Sequence, residues 1–189
     1  MGWFFLAILN IFFFQASQAN RLEKMKRSAA ASEPPRPGDP LGRLSIPRIG
    51  LSAIVAEGDD ENTLRHAVGH IPGSAFPADS VNSNIKPGWS HRTAENIGNI
   101  ALAAHRDTFF RPLKRVQPND LIVLETPRGK YQYKVARIAI VKPERIDLLQ
   151  PSAKSQLTLV TCFPFRYIGP APERFVVQAF QIPTQQASW

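Results

Sequence analysis

The residue types of this chain that can do covalent chemistry are few, and their spacing limits what that chemistry is. Its single cysteine, Cys162, ends the apolar run Thr158-Leu159-Val160-Thr161-Cys162 and is followed by Phe163-Pro164-Phe165. A single cysteine makes no internal disulfide and is too few for a cysteine-rich structural zinc site. It is therefore either a small buried hydrophobe, the usual fate of a free thiol, or a nucleophile. A thiol reacts as its thiolate and needs a base or a cation beside it. Of the four histidines, His66 falls on a short charged helix and His91 in a polar loop, and both read as solvated. His70, in Gly69-His70-Ile71-Pro72-Gly73, reads as structural. His105 differs: it closes the apolar run Ile100 to Ala104, where a buried strand emerges into a loop, 57 residues before the cysteine. The bland alternative is a strand-end histidine bonded to nearby backbone. Arg174, 12 residues after Cys162, opens another apolar strand. There it is either a solvated strand-end cation or a donor to a developing oxyanion.

The elements that must position these residues are short strands. Candidates are 43–46, 51–55, 100–104, 121–125, 131–136, 157–162 and 175–180, punctuated by proline and glycine. Asp59-Asp60 caps a short helix through about His66, and Pro127-Arg128-Gly129 turns a hairpin. Helical turns are expected at 111–116 and 144–149. About eight strands with 17 prolines and few helices predict a mostly β domain, a closed barrel or a sandwich. The polar, aperiodic stretch Ser80 to Asn96 reads as a long surface loop.

Composition narrows function by exclusion. Net charge is +8, and residues 20–48 carry seven Lys/Arg against three Asp/Glu, so half of the excess lies in this one stretch. The remaining charge is spread too thinly to form the single basic face of a nucleic-acid binder. No histidine pair sits four residues apart in a helix to hold a catalytic metal, and no carboxylate cluster stands out to hold calcium. No metal and no cofactor are expected. The N-terminus, Gly2-Trp3-Phe4-Phe5-Leu6-Ala7-Ile8-Leu9-Asn10-Ile11-Phe12-Phe13-Phe14, is a continuous apolar run, short for a spanning helix of about 20 residues. It is read as a membrane anchor or signal segment over 1–19, with a cleaved signal as the alternative. A basic, proline-rich linker follows over 20–41, then the folded domain over 42–183 and a tail over 184–189. The basic cluster at Arg21, Lys24, Lys26 and Arg27 would by itself favour a cytoplasmic C-terminal side.

The ordered blocks of this chain resemble the sortases, the membrane-anchored cysteine transpeptidases of bacterial cell surfaces. Ala101-Leu102-Ala103-Ala104-His105-Arg106-Asp107 is similar to the family's histidine block, and Thr158-Leu159-Val160-Thr161-Cys162 to its Thr-Leu-x-Thr-Cys signature. Arg174 occupies the position of its arginine. Leu44-Ser45-Ile46-Pro47-Arg48-Ile49-Gly50-Leu51, Gly69-His70-Ile71-Pro72-Gly73 and Asp107-Thr108-Phe109-Phe110-Arg111-Pro112-Leu113 resemble the class D and class E branches. The likeness runs from about Gly42 to Ile182. It departs from the family at Ala104, where glycine is usual, and in the length of the 80–96 loop.

The resemblance implies a closed eight-stranded β-barrel with Cys162, His105 and Arg174 as catalytic residues and Thr161 as oxyanion or site support. It also implies cleavage of a C-terminal sorting signal, Leu-Pro-x-Thr-Gly-like or a Thr-Ala variant, through a thioacyl enzyme. The partners would be secreted proteins bearing that signal and an amine acceptor from peptidoglycan or a pilin subunit. The domain would lie on the extracytoplasmic face of the cell membrane. A cysteine endopeptidase using water as acceptor, and an inactive membrane-displayed binding barrel, are the competing readings.

Overall fold

The computed structural model describes residues 35–75, 98–127 and 129–182, together with Ser17 and Asn20. The strand-like runs fold as β1 (Pro40–Ile46), β2 (Leu51–Glu57), β3 (Val68–His70), β4 (Asn99–Ala103), β5 (Leu121–Thr126), β6 (Gly129–Val141), β7 (Gln156–Phe163) and β8 (Glu173–Gln181). They close into one barrel in the order β1-β2-β3-β4-β7-β8-β6-β5. β2–β3 and β4–β7 pair parallel, and the other neighbours pair antiparallel. Closure leaves no open sheet edge. The core is the set of alternate apolar side chains on the inner face, among them Leu44, Ile46, Leu102, Ile122, Leu124, Leu157, Leu159 and Val177.

Helix α1 (Glu61–His66) begins where the acidic pair predicts. The Asp60 carboxylate accepts from the backbone N–H groups of Asn62 and Thr63 at 3.0 and 3.1 Å, satisfying two of the unpaired donors of the first turn. These bonds and the Thr63 hydroxyl hold the Asp60 carboxyl below the usual range. The expected helical turns form as single 3-10 turns at Arg111–Arg115 and Ile146–Leu149. β5 and β6 pair antiparallel up to Thr126 opposite Gly129, as a hairpin there requires.

Two features differ from the sequence reading. β3 was not anticipated, because three residues containing a glycine carry no alternation to detect. A side chain at Gly69 would overlap the Gly58 carbonyl and crowd Leu64, so glycine lets β3 lie this close to the α1 segment. The end of the supposed linker is also part of the fold. Gly38 N donates to the Glu57 carbonyl and Glu57 N to the Asp39 carbonyl, at 2.8 and 2.9 Å, and β1 starts at Pro40. Proline and glycine look like spacer composition, but the Gly38 N–H and the Asp39 carbonyl still bond to a strand end. The apolar run at 2–14, the 80–96 loop and His91 lie outside the described residues. Among the described residues no helix is long and apolar enough to cross a membrane.

One ion pair secures the barrel end near His105. The Arg48 guanidinium, on the turn after β1, donates from Nη2 to Asp120 Oδ2 at 2.7 Å and from Nε to Asp120 Oδ1. It also reaches the Arg115 carbonyl, while the Arg115 guanidinium donates to the Ile49 carbonyl. Asp120 also accepts from Gln117 N at 2.8 Å. These bonds, led by Arg48, hold the Asp120 carboxyl below the usual carboxylate range. A carboxyl with a lowered folded pKa stabilises the fold above its unfolded pKa of about 4, and that contribution disappears as pH falls through the folded value. Arg48→Ala should therefore lower the melting temperature at pH 7 by several degrees and by much less at pH 3, measured by calorimetry at both pH values.

Candidate active site

Strand register brings the three reactive side-chain types to one level. β7 and β8 pair so that Cys162 faces Arg174 directly and Thr161 faces Phe175. Directly opposed residues on one face have Cβ atoms roughly 4.5–5.5 Å apart. β4 runs parallel to β7 with Ala103 opposite Val160, and Ala104 N continues the ladder to the Val160 carbonyl at 3.4 Å. Carried two residues past the Ala103–Val160 pair, beyond the end of β4, this register leads to His105 at the level of Cys162. Alternation then decides the faces. Leu157, Leu159, Phe175 and Val177 belong to the core, which puts Cys162 and Arg174 on the opposite, outer face. Ile100, Leu102 and Ala104 likewise point inward, leaving His105 on the side of Cys162. Cys162, His105 and Arg174 are all half-buried, and the thiol is free and outside the core cluster.

The strands carrying these residues are pinned at both ends. At the site end, Thr161 is 3% exposed and its hydroxyl donates to the Ala104 carbonyl at 2.7 Å. That hydroxyl proton is committed to the residue before His105, so Thr161 couples the histidine's strand to the cysteine's. At the far end, Asn99 is 1% exposed. It accepts from the Thr158 hydroxyl at 2.7 Å and donates to the carbonyls of Leu148 and Gln150 at 2.9 and 3.2 Å. Gln156 Nε2 completes the group by donating to Thr158 Oγ1 at 3.0 Å. Both of these polar groups are buried and bonded, as burial requires.

The loop after His105 is fixed by packing. Phe110 and Leu113 are fully buried, and Phe110 N donates to the His105 carbonyl at 3.2 Å. Ala104 has an ordinary negative φ, since Asn119 is the only non-glycine with positive φ among the described residues, so its methyl group costs no backbone strain. Beyond Cys162, Phe163, Phe165 and Phe175 form a ring cluster with centroids 5.1–6.2 Å apart, bracing the base of the β7–β8 loop. The Phe163–Pro164 peptide is cis. Arg174 Nη1 donates to the carbonyls of Ala171 and Glu173 at 3.2 and 3.0 Å. Its Nε and Nη2 keep no protein partner among the described residues and can meet a substrate oxygen.

A thiol and a guanidinium on paired strands, with an imidazole just past the end of the neighbouring third strand, can support acyl transfer: nucleophile, oxyanion donor and proton carrier. Residues 78–182 match the family model of the sortase domain. The chain belongs to the sortase family. Sortase D of Bacillus subtilis is 30% identical over 148 residues, covering 78% of this chain and 66% of that protein. Sortase SrtE1 of Streptomyces coelicolor is 30% identical over 153 residues, covering 74% of this chain and 39% of that one. The chain thus spans just under two thirds of the first relative and well under half of the second. A solved Clostridium perfringens sortase D5 transpeptidase superposes with a TM-score of 0.72 at 23% identity, covering 90% of this chain and 99% of that one. Sortase A from Corynebacterium diphtheriae gives 0.62 at 26% identity, over 79% and 63%. The family's members are cysteine transpeptidases.

The other two described histidines of this sortase, His66 and His70, have partners of their own. His66, read as solvated, is half-buried, with Nδ1 2.9 Å from the Asn62 carbonyl. His70, 4% exposed, has Nδ1 2.8 Å from Glu57 Oε2 and Nε2 3.0 Å from the Ala75 carbonyl and the Ser74 hydroxyl. That is the structural role read from sequence. Among the described residues no His/Cys/Asp/Glu group could hold a metal ion. The Thr161 link was not read from sequence, because nothing in Thr-Leu-x-Thr-Cys says which carbonyl the hydroxyl meets. Thr161→Val keeps the shape but strands the Ala104 carbonyl. It should destabilise the fold by about 1–2 kcal/mol in urea titration, whereas Thr161→Ser should retain most of the stability.

Proposed function

We propose that this protein is a cysteine transpeptidase that cuts the C-terminal sorting signal of secreted proteins and passes them to an amine. The thiolate of Cys162 attacks the carbonyl carbon of the threonine in a Leu-Pro-x-Thr-Gly-like signal or a Thr-Ala variant. The Arg174 N–H donors receive the tetrahedral oxyanion. The C–N bond breaks as the His105 imidazolium gives its proton to the departing amine, leaving a thioester on Cys162. An incoming amine, from a peptidoglycan stem peptide or a pilin lysine, attacks that thioester and loses its proton to His105. The C–S bond then breaks and the thiolate is restored. Thr161 serves by holding the strand of His105 against that of Cys162.

The observation that carries this reading is the pairing of Cys162 with Arg174 across β7 and β8, beside a β4 whose register leads to His105 two residues past its end. A core role for the thiol does not fit its half-buried position on the outer face of β7. The apolar run at 2–14 supports anchoring in the cell membrane, and the transpeptidase reading, against the basic cluster at 21–27, puts the barrel on its extracytoplasmic side, where secreted substrates lie. The barrel, which starts at Pro40, would then be the catalytic unit, displayed by the linker before it.

The test is chemical trapping. The full-length chain, incubated with Leu-Pro-x-Thr-Gly and Leu-Pro-x-Thr-Ala peptides, should gain the mass of the acyl fragment on Cys162 by mass spectrometry. An added amine should discharge that adduct into an amide product, and Cys162→Ala should abolish both. Absence of an adduct with every such peptide, or alkylation-resistant Cys162 in the folded protein, would overturn the proposal. Discharge to the free acid alone, even with amine present, would mark an endopeptidase.

A further inference from the structure

Arg106 directly follows His105, and its guanidinium turns to the loop that joins Cys162 to Arg174. Nη2 donates to the carbonyls of Tyr167 and Gly169 at 3.0 and 3.3 Å. The cation also lies over the Tyr167 ring, 5.8 Å from its centroid. These contacts flank Ile168, which is 99% exposed. The Tyr167 and Ile168 side chains are both exposed, and among the described residues the bonds to Arg106 are the hydrogen bonds that tie this stretch to the barrel. Two residues further on, the Ala171 carbonyl accepts from Arg174 Nη1. The loop conformation that Arg106 holds is thus also the platform on which the Arg174 guanidinium is seated. Arg106 Nη1 is buried and has no hydrogen-bond partner among the described residues. An unpartnered buried donor detracts from stability, so the arrangement favours position over stability. Both bonds leave from the one nitrogen Nη2, so a lysine keeps a cation with donors there but loses the planar group that lies over the Tyr167 ring.

We propose that Arg106 is a positioning residue that sets Arg174 through the β7–β8 loop, coupling the histidine's loop to the oxyanion donor. The catalytic part of this inference rests on the transpeptidase reading above. A residue acting only through Arg174 is felt where Arg174 acts, in the transition state, so kcat falls while KM holds. It also loses its effect once Arg174 is gone.

The test is a double-mutant cycle on the full-length chain with a fluorogenic Leu-Pro-x-Thr-Gly or Leu-Pro-x-Thr-Ala peptide. Arg174→Ala should lower kcat by about 10²- to 10³-fold, as loss of an oxyanion donor does. Arg106→Ala should lower it by about tenfold, as a small misplacement does, with KM within about twofold. Arg106→Lys should recover part of the loss. The double variant should be no slower than Arg174→Ala alone. A further tenfold loss in the double variant, an unchanged kcat in Arg106→Ala, or a rise in KM with kcat intact would overturn the proposal. A second measurement does not need turnover: amide hydrogen exchange over residues 166–174 should speed up in Arg106→Ala and slow again in Arg106→Lys. Unchanged exchange there overturns the clamp whatever the peptides do, while a peptide-inert wild type with faster exchange in the variant overturns the transpeptidase reading alone.

Discussion

The parallel pairing of β4 with β7 is the constraint on which the site depends. A slip of one residue would carry His105 to the opposite face from Cys162, because side chains alternate with a period of two. Register here is fixed by more than the backbone ladder. The inward residues Ile100, Leu102, Leu157 and Leu159 must all stay in the core. The Thr161 hydroxyl and the Asn99–Thr158 pair add a bond at either end that only one register satisfies. Apolar burial makes slippage costly, and buried polar groups make it costlier, since a lost partner leaves a desolvated donor or acceptor.

The rest of the site is held from two sides. The ion pair of Arg48 with Asp120, and the Arg115–Ile49 bond, close the barrel end beneath the loop that follows His105. The aromatic cluster of Phe163, Phe165 and Phe175 braces the other loop at its root. Between them, the half-buried position of Cys162, His105 and Arg174 keeps each group reachable. The scaffold is rigid where geometry matters and leaves the β7–β8 loop tip, with Ile168, open to solvent.

Much of this was legible in the residues. Alternation and proline–glycine punctuation located seven of the eight strands, and Asp59-Asp60 located the helix start. The order of the motif blocks pointed to the family. β3 escaped because three residues carry no period, and the Gly38–Asp39 stretch because composition does not show backbone pairing. The direction of pairing was equally hidden, as the same alternation serves a parallel and an antiparallel neighbour.

What the sequence determined by itself is local and chemical. It supplied one thiol, a histidine at a strand end, an arginine at a strand start, and enough short apolar strands to close a barrel. What only the tertiary structure decided is the relation among them: that Cys162 faces Arg174, that His105 stands level with both, and that Thr161 and Arg106 spend their donors on particular carbonyls. The physical reason is that a strand's own residues fix which face each side chain takes. The neighbour a strand meets, and at what register, is set by barrel closure and by long-range bonds across 57 or more residues of chain.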